Sequence, residues 1–79
     1  MTLSGSEWVA RYAARLGLDQ PSVEEVTILL DLAGLAAHSS ERTAAPISCW
    51  LAARAGITTA EALAVAEALR DEIGSDGDR

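Results

Sequence analysis

Two capping-box signatures constrain this 79-residue chain more than any other feature. In Ser22-Val23-Glu24-Glu25 and Thr58-Thr59-Ala60-Glu61, a hydroxyl residue stands three positions before a glutamate. At that spacing the hydroxyl accepts the glutamate N–H while the carboxylate accepts the hydroxyl residue's own N–H, so each signature marks a helix start. Apolar residues at helical spacing follow both. After Ser22, Val23, Val26, Leu30, Ala33 and Ala37 make one stripe, and Ile28, Leu32 and Leu35 make a second on another face. A helix apolar on all sides belongs in the middle of a bundle, and Leu30, where the stripes meet, is expected in the core. After Thr58 the stripe is Leu63, Ala66, Leu69 and Ile73, closed by Gly74.

Two further segments carry the same period. Ser6 reads as the N-cap of a helix over about residues 7 to 16, with Trp8, Val9, Tyr12 and Leu16 as its stripe, Arg11 and Arg15 beside it and Gly17 as its stop. Ile47, Trp50, Leu51 and Ala55 form another stripe, ending at Gly56, with Pro46 tolerated in the first turn. Between the second and third helices, residues 38 to 46 lose their periodicity and read as the longest connection. Sixteen alanines and ten leucines favour helix, and no strand-length window alternates. The expected fold class is all α: a compact four-helix bundle-like domain over residues 1 to 79, with residues 1–5 and 75–79 disordered. Trp8 and Trp50 read first as core anchors. Trp50 is the better interface candidate, because its helix has the weaker stripe and the flanking Arg54.

Twelve acidic residues against six arginines and no lysine give a net charge of −6, which repels a phosphate backbone and argues against nucleic acid as partner. Asp31 interrupts the longest apolar stretches well short of the ~20 residues a bilayer span needs, so no membrane association is expected. Residues 1–5 show no basic region before an apolar run, and the lone Cys49 suits a reducing compartment; both lead to a cytoplasmic expectation. The choice between monomer and homodimer stays open.

Catalysis finds no arrangement in the sequence. His38 is the only imidazole and stands eleven residues before Cys49, Glu-x-x-His pairs are missing, and no glycine-rich phosphate loop occurs. The chain therefore reads as no enzyme, with no cofactor and no metal site. A minor alternative is a carrier-protein-like domain modified at Ser22, since acidic four-helix carriers attach phosphopantetheine to a serine at the start of their second helix. Ser22 lacks the preceding Asp and following Leu of that motif, and capping accounts for it.

The segment from Ala37 to Leu51 holds the most information. Trp8 begins the first helix, Ala37-His38 ends the second, Arg42 follows four residues later, and Ala45-Pro46 opens a helix carrying Trp50-Leu51. In these features the chain resembles a small bacterial helical family whose members occur alone or fused to the molybdenum cofactor guanylyltransferase. Thr43, Trp50 and Ala53 depart from the family's commoner Pro, Phe and Gly. The resemblance implies an association with molybdopterin-guanine dinucleotide biosynthesis, the transferase active site belonging to the other domain. The functional expectation is thus a noncatalytic accessory or interaction module whose partner is another protein, the resemblance implying that guanylyltransferase, with a general protein–protein interaction domain of unknown pathway as the alternative.

His38, near a helix C-terminus, and Arg42, just before a helix N-terminus, could hold an anion or an acidic patch of a partner. The competing reading makes His38 a cap of the second helix and Arg42 a pin to Glu41 or Asp31. His38, Arg42 and Trp50 are the candidate contact residues.

Overall fold

The computed structural model describes residues 2–77, which form four helices: α1 (Gly5–Leu16), α2 (Val23–Ser39), α3 (Ala44–Ala55) and α4 (Thr59–Gly77). No strand occurs among the described residues. Both expected capping boxes are present. The Ser22 hydroxyl accepts the Glu25 N–H at 3.0 Å while the Glu25 carboxylate accepts the Ser22 N–H at 2.9 Å. Thr58 and Glu61 make the equivalent pair at 3.1 and 2.9 Å. A third box caps α1, but at Ser4 and Glu7, where the expectation was Ser6. Gly17 and Gly56 end α1 and α3 in the left-handed conformation, at φ 74° and 73°, where a side chain would be strained.

Two boundaries differ from the sequence reading. Helix α4 runs through Gly74 to Gly77, because an isolated glycine weakens a helix without stopping it. Of the expected disordered segments, Met1, Asp78 and Arg79 lie outside the described residues. The connection between α2 and α3 is only residues 40–43, since His38 and Ser39 stay helical and Ala44 and Ala45 open α3. The longest connection is instead residues 17–22.

Packing centres on α2, which lies against both α3 and α4. The faces it meets are small. On α3, Ala45, Ser48, Cys49 and Ala52 are half-buried; on α4, Ala62 is buried and Thr59, Leu63 and Ala66 are half-buried. Both sets follow the i, i+3, i+4, i+7 rhythm of a single helix face. Leu32 of α2, 4 % exposed, lies at the middle of this contact. Leu30 does not: it is 67 % exposed, because α2 turns its Ile28–Leu32–Leu35 stripe inward and leaves Val23 and Leu30 outside. Trp8 and Trp50 are not core anchors either. Small residues already fill the α2–α3 contact, and α1 shares no comparable interface with any helix. The molecule measures 49 × 30 × 18 Å with a radius of gyration of 14.4 Å. A close-packed chain of this length would have about 12 Å.

The caps make a stability prediction. Ser22→Ala and Thr58→Ala should each lower the unfolding free energy by about 1 kcal/mol in urea titrations, by stranding a helix N–H. The carboxyls of Glu7 and Glu61 are held below the ordinary carboxylate range, first by the backbone N–H of Ser4 and Thr58 and then by their hydroxyls. A folded-state value below the unfolded one means the contribution is present above the ordinary range and is lost as pH falls through the depressed values. Stability should therefore decline on acidification below about pH 4.3, and Glu61→Ala should shrink that decline.

Candidate functional site

The α2–α3 elbow carries His38 and Arg42, and α3 carries Trp50. His38 is in the last turn of α2, exposed, and its side chain makes no hydrogen bond among the described residues. The α2 C-terminus is served by Ser40, whose hydroxyl donates to the Ala36 carbonyl at 2.7 Å. This geometry corrects the reading of His38 as the cap. Arg42 is exposed in the turn and pairs with neither Glu41 nor Asp31. Among the described residues the one ion pair joins Arg70 and Asp71, at 3.2 Å on the surface. Arg42 is therefore not a pin, and its guanidinium stays available to another molecule.

The elbow is a poor cradle for a small anion. The Ala44 N–H donates to the Glu41 carbonyl at 2.9 Å and the Ala45 N–H to the Arg42 carbonyl at 3.1 Å, while Pro46 has no N–H. The donors that a helix start would offer an anion are thus engaged or missing at the first three α3 positions. The depression beside this turn is lined by Ser40, Glu41, Thr43 and Ile47, so its charged wall is a carboxylate.

Trp50 is 60 % exposed, and the Arg54 guanidinium lies over its ring, 5.4 Å from the centroid. The two residues are one helical turn apart, where α-helix geometry stacks side chains, and the cation meets the negative face of the indole. Ile47 is also exposed, so α3 shows solvent an Ile–Trp–Arg surface. Trp50 is separated from the Arg42 turn by roughly 10 Å of helix rise, and no contact joins the two. The three candidates therefore lie along one end of α3 without forming a closed pocket.

A model of the family DUF6457, described as a domain of unknown function, matches residues 3–76. The chain belongs to the DUF6457 family. The match spans all four helices, so the DUF6457 unit is the whole described fold and not one hairpin of it. Comparison with curated proteins and with solved structures finds no match.

Two surfaces of the DUF6457 fold were not singled out from the sequence. One is a groove between α2, α3 and α4, of about 390 Å³, walled by Leu35, Leu51, Val65 and Leu69 among others. The other is the apolar face of α1, where the Trp8 and Tyr12 rings stack with centroids 6.0 Å apart and planes 17° apart. The stripe residues of both are visible in the sequence; that they lack a covering helix is a property of the packing. Ser22 is engaged in its capping box, and Cys49 is a half-buried free thiol on the α3 face toward α2. Among the described residues no three His, Cys, Asp or Glu side chains group as a metal site, and no helix is long and apolar enough to cross a membrane.

Proposed function

We propose that this domain is a noncatalytic interaction module that docks another protein through the α2–α3 end of the fold, in molybdenum cofactor biosynthesis. The observation that carries the docking is the Trp50–Arg54 pair, a solvent-exposed aromatic with a cation on its face. Tryptophan and arginine are the residue types that most often dominate binding energy at protein interfaces. His38 and Arg42, which have no partner within the described chain, supply charge at the edge of that patch. The engaged N–H groups of Ala44 and Ala45 favour a protein surface over a cofactor phosphate. The pathway rests on the sequence resemblance alone, with a molybdenum cofactor guanylyltransferase as the partner it implies.

Calorimetric titration of the domain into that guanylyltransferase tests the reading. Saturable binding is expected, and Trp50→Ala should weaken it by about 2 kcal/mol. Arg42→Ala should cost about 1 to 3 kcal/mol of binding while changing folding stability by less than ~1 kcal/mol, because its contact forms only in the complex. Absence of binding removes the pathway assignment. Binding that is indifferent to both substitutions removes the α2–α3 end as the docking surface.

A further inference from the structure

Two apolar surfaces of this chain have no partner among the described residues, and their shapes are opposite. One is convex: Trp8, Tyr12 and Leu16, at four-residue spacing on α1, are each more than half exposed. The other is concave, the groove of α2, α3 and α4, where Arg70 is the only charged wall residue. The helices behind the two surfaces differ in charge balance. Helix α1 carries Arg11 and Arg15 against Glu7. Of the helices bordering the groove, α2 carries Glu24, Glu25 and Asp31, and α4 carries Glu61, Glu67, Asp71 and Glu72 against Arg70, while α3 carries Arg54 and no acidic residue.

The exposed area says how much must be covered. The chain exposes 6393 Å², whereas a close-packed monomer of its mass would expose about 4,500 Å². The excess is about 1,900 Å² per chain, and two chains hiding it would bury about 3,800 Å², inside the range of obligate homodimers. Among the described residues only Ala13, Leu32 and Ala62 are buried apolar residues, too few for a domain of this size to stand alone.

We propose that α1 of one chain seats in the α2–α3–α4 groove of a second copy, whose own α1 returns into the groove of the first. A foreign protein would have to offer a groove for α1 and a helix for the α2–α3–α4 groove at once. A second copy offers both by symmetry. The chain between the two surfaces permits the exchange. Gly17 ends α1 in the left-handed conformation, and residues 17–22 can extend to about 20 Å before α2 begins. Trp8 and Tyr12 then bury their stacked rings against Leu51, Val65 and Leu69. The groove reaches the α2–α3 turn at Ser40 but is not lined by His38, Arg42 or Trp50, so the exchange leaves the docking residues uncovered and presents two copies of them.

Light scattering on the full chain at micromolar concentration should give twice the 8.2 kDa chain mass. Trp8→Glu on the donor helix, or Leu69→Glu in the groove, should weaken dimerisation by at least about 30-fold. The decisive measurement mixes the two variants. The intact α1 of the Leu69→Glu chain meets the intact groove of the Trp8→Glu chain, so the mixture should form heterodimers under conditions where either variant alone does not. That readout compares the mixture with its own components and holds even if a lone variant is partly unfolded. Variants that stay apart when mixed overturn the proposal. So does a monomeric wild-type chain whose radius of gyration in X-ray scattering falls to about 12 Å, which would mean that α1 folds over its own groove.

Discussion

Leu32→Ala should lower the unfolding free energy by about 2 to 4 kcal/mol, whereas Leu30→Ala should lower it by less than ~1 kcal/mol. The two leucines are two residues apart on the same helix and both belong to apolar stripes, so helix propensity and chain position are nearly constant between them. What differs is what they touch. Leu32 is 4 % exposed between the small faces of α3 and α4, and removing its isobutyl group leaves a space that neighbouring alanines cannot fill. Leu30 is already largely in water, so little transfer free energy is lost with it. Urea titrations of both variants at one fixed protein concentration, needed because association adds to apparent stability, read the difference directly. Equal losses would mean that α2 presents a different face to the bundle.

The leucine pair also shows where sequence reasoning reaches and where it stops. Helix starts at Ser22 and Thr58 and stops at Gly17 and Gly56 are legible because a capping box or a left-handed glycine is a local device within a few residues. The α1 start was equally local, but Ser6 and Ser4 compete as caps and only Ser4 has a glutamate three residues on, at Glu7. Which stripe of α2 faces inward is not local. Both stripes have the right period, and the choice follows from the small-residue faces of α3 and α4, through which α2 approaches along Leu32 rather than Leu30. The candidate contact residues divide in the same way. The placement of Trp50 on α3 could be read from periodicity, whereas His38 stays in the last turn of α2 although the apolar period is lost from residue 38 on. That Ser40 takes the capping role and that Arg42 pairs with nothing beside it depends on backbone direction at a four-residue turn.

Ala62→Asp should destabilise the fold by about 3 to 5 kcal/mol at neutral pH, and most of that loss should disappear in acid. Ala62 is 6 % exposed on the α4 face toward α2, and no cation pairs across that contact among the described residues. A carboxylate there loses its hydration without gaining a counter-charge, and the adjacent Glu61 adds repulsion. Both effects raise the folded-state pKa of the new group above its unfolded value. The folded state then binds the proton more tightly, so the charge penalty is absent below the unfolded value and grows as pH rises through the folded one. The wild-type capping carboxylates Glu7 and Glu61 behave with the opposite sign, losing their contribution as pH falls. Between about pH 4 and 7 the variant's stability should therefore fall with rising pH where the wild-type's is level or rises. Ala62→Asn, of similar size and without the charge, should show a smaller loss and no reversal of slope. A pH-independent loss in the aspartate variant would assign the cost to side-chain size and place Ala62 at a water-accessible edge of the α2–α4 contact.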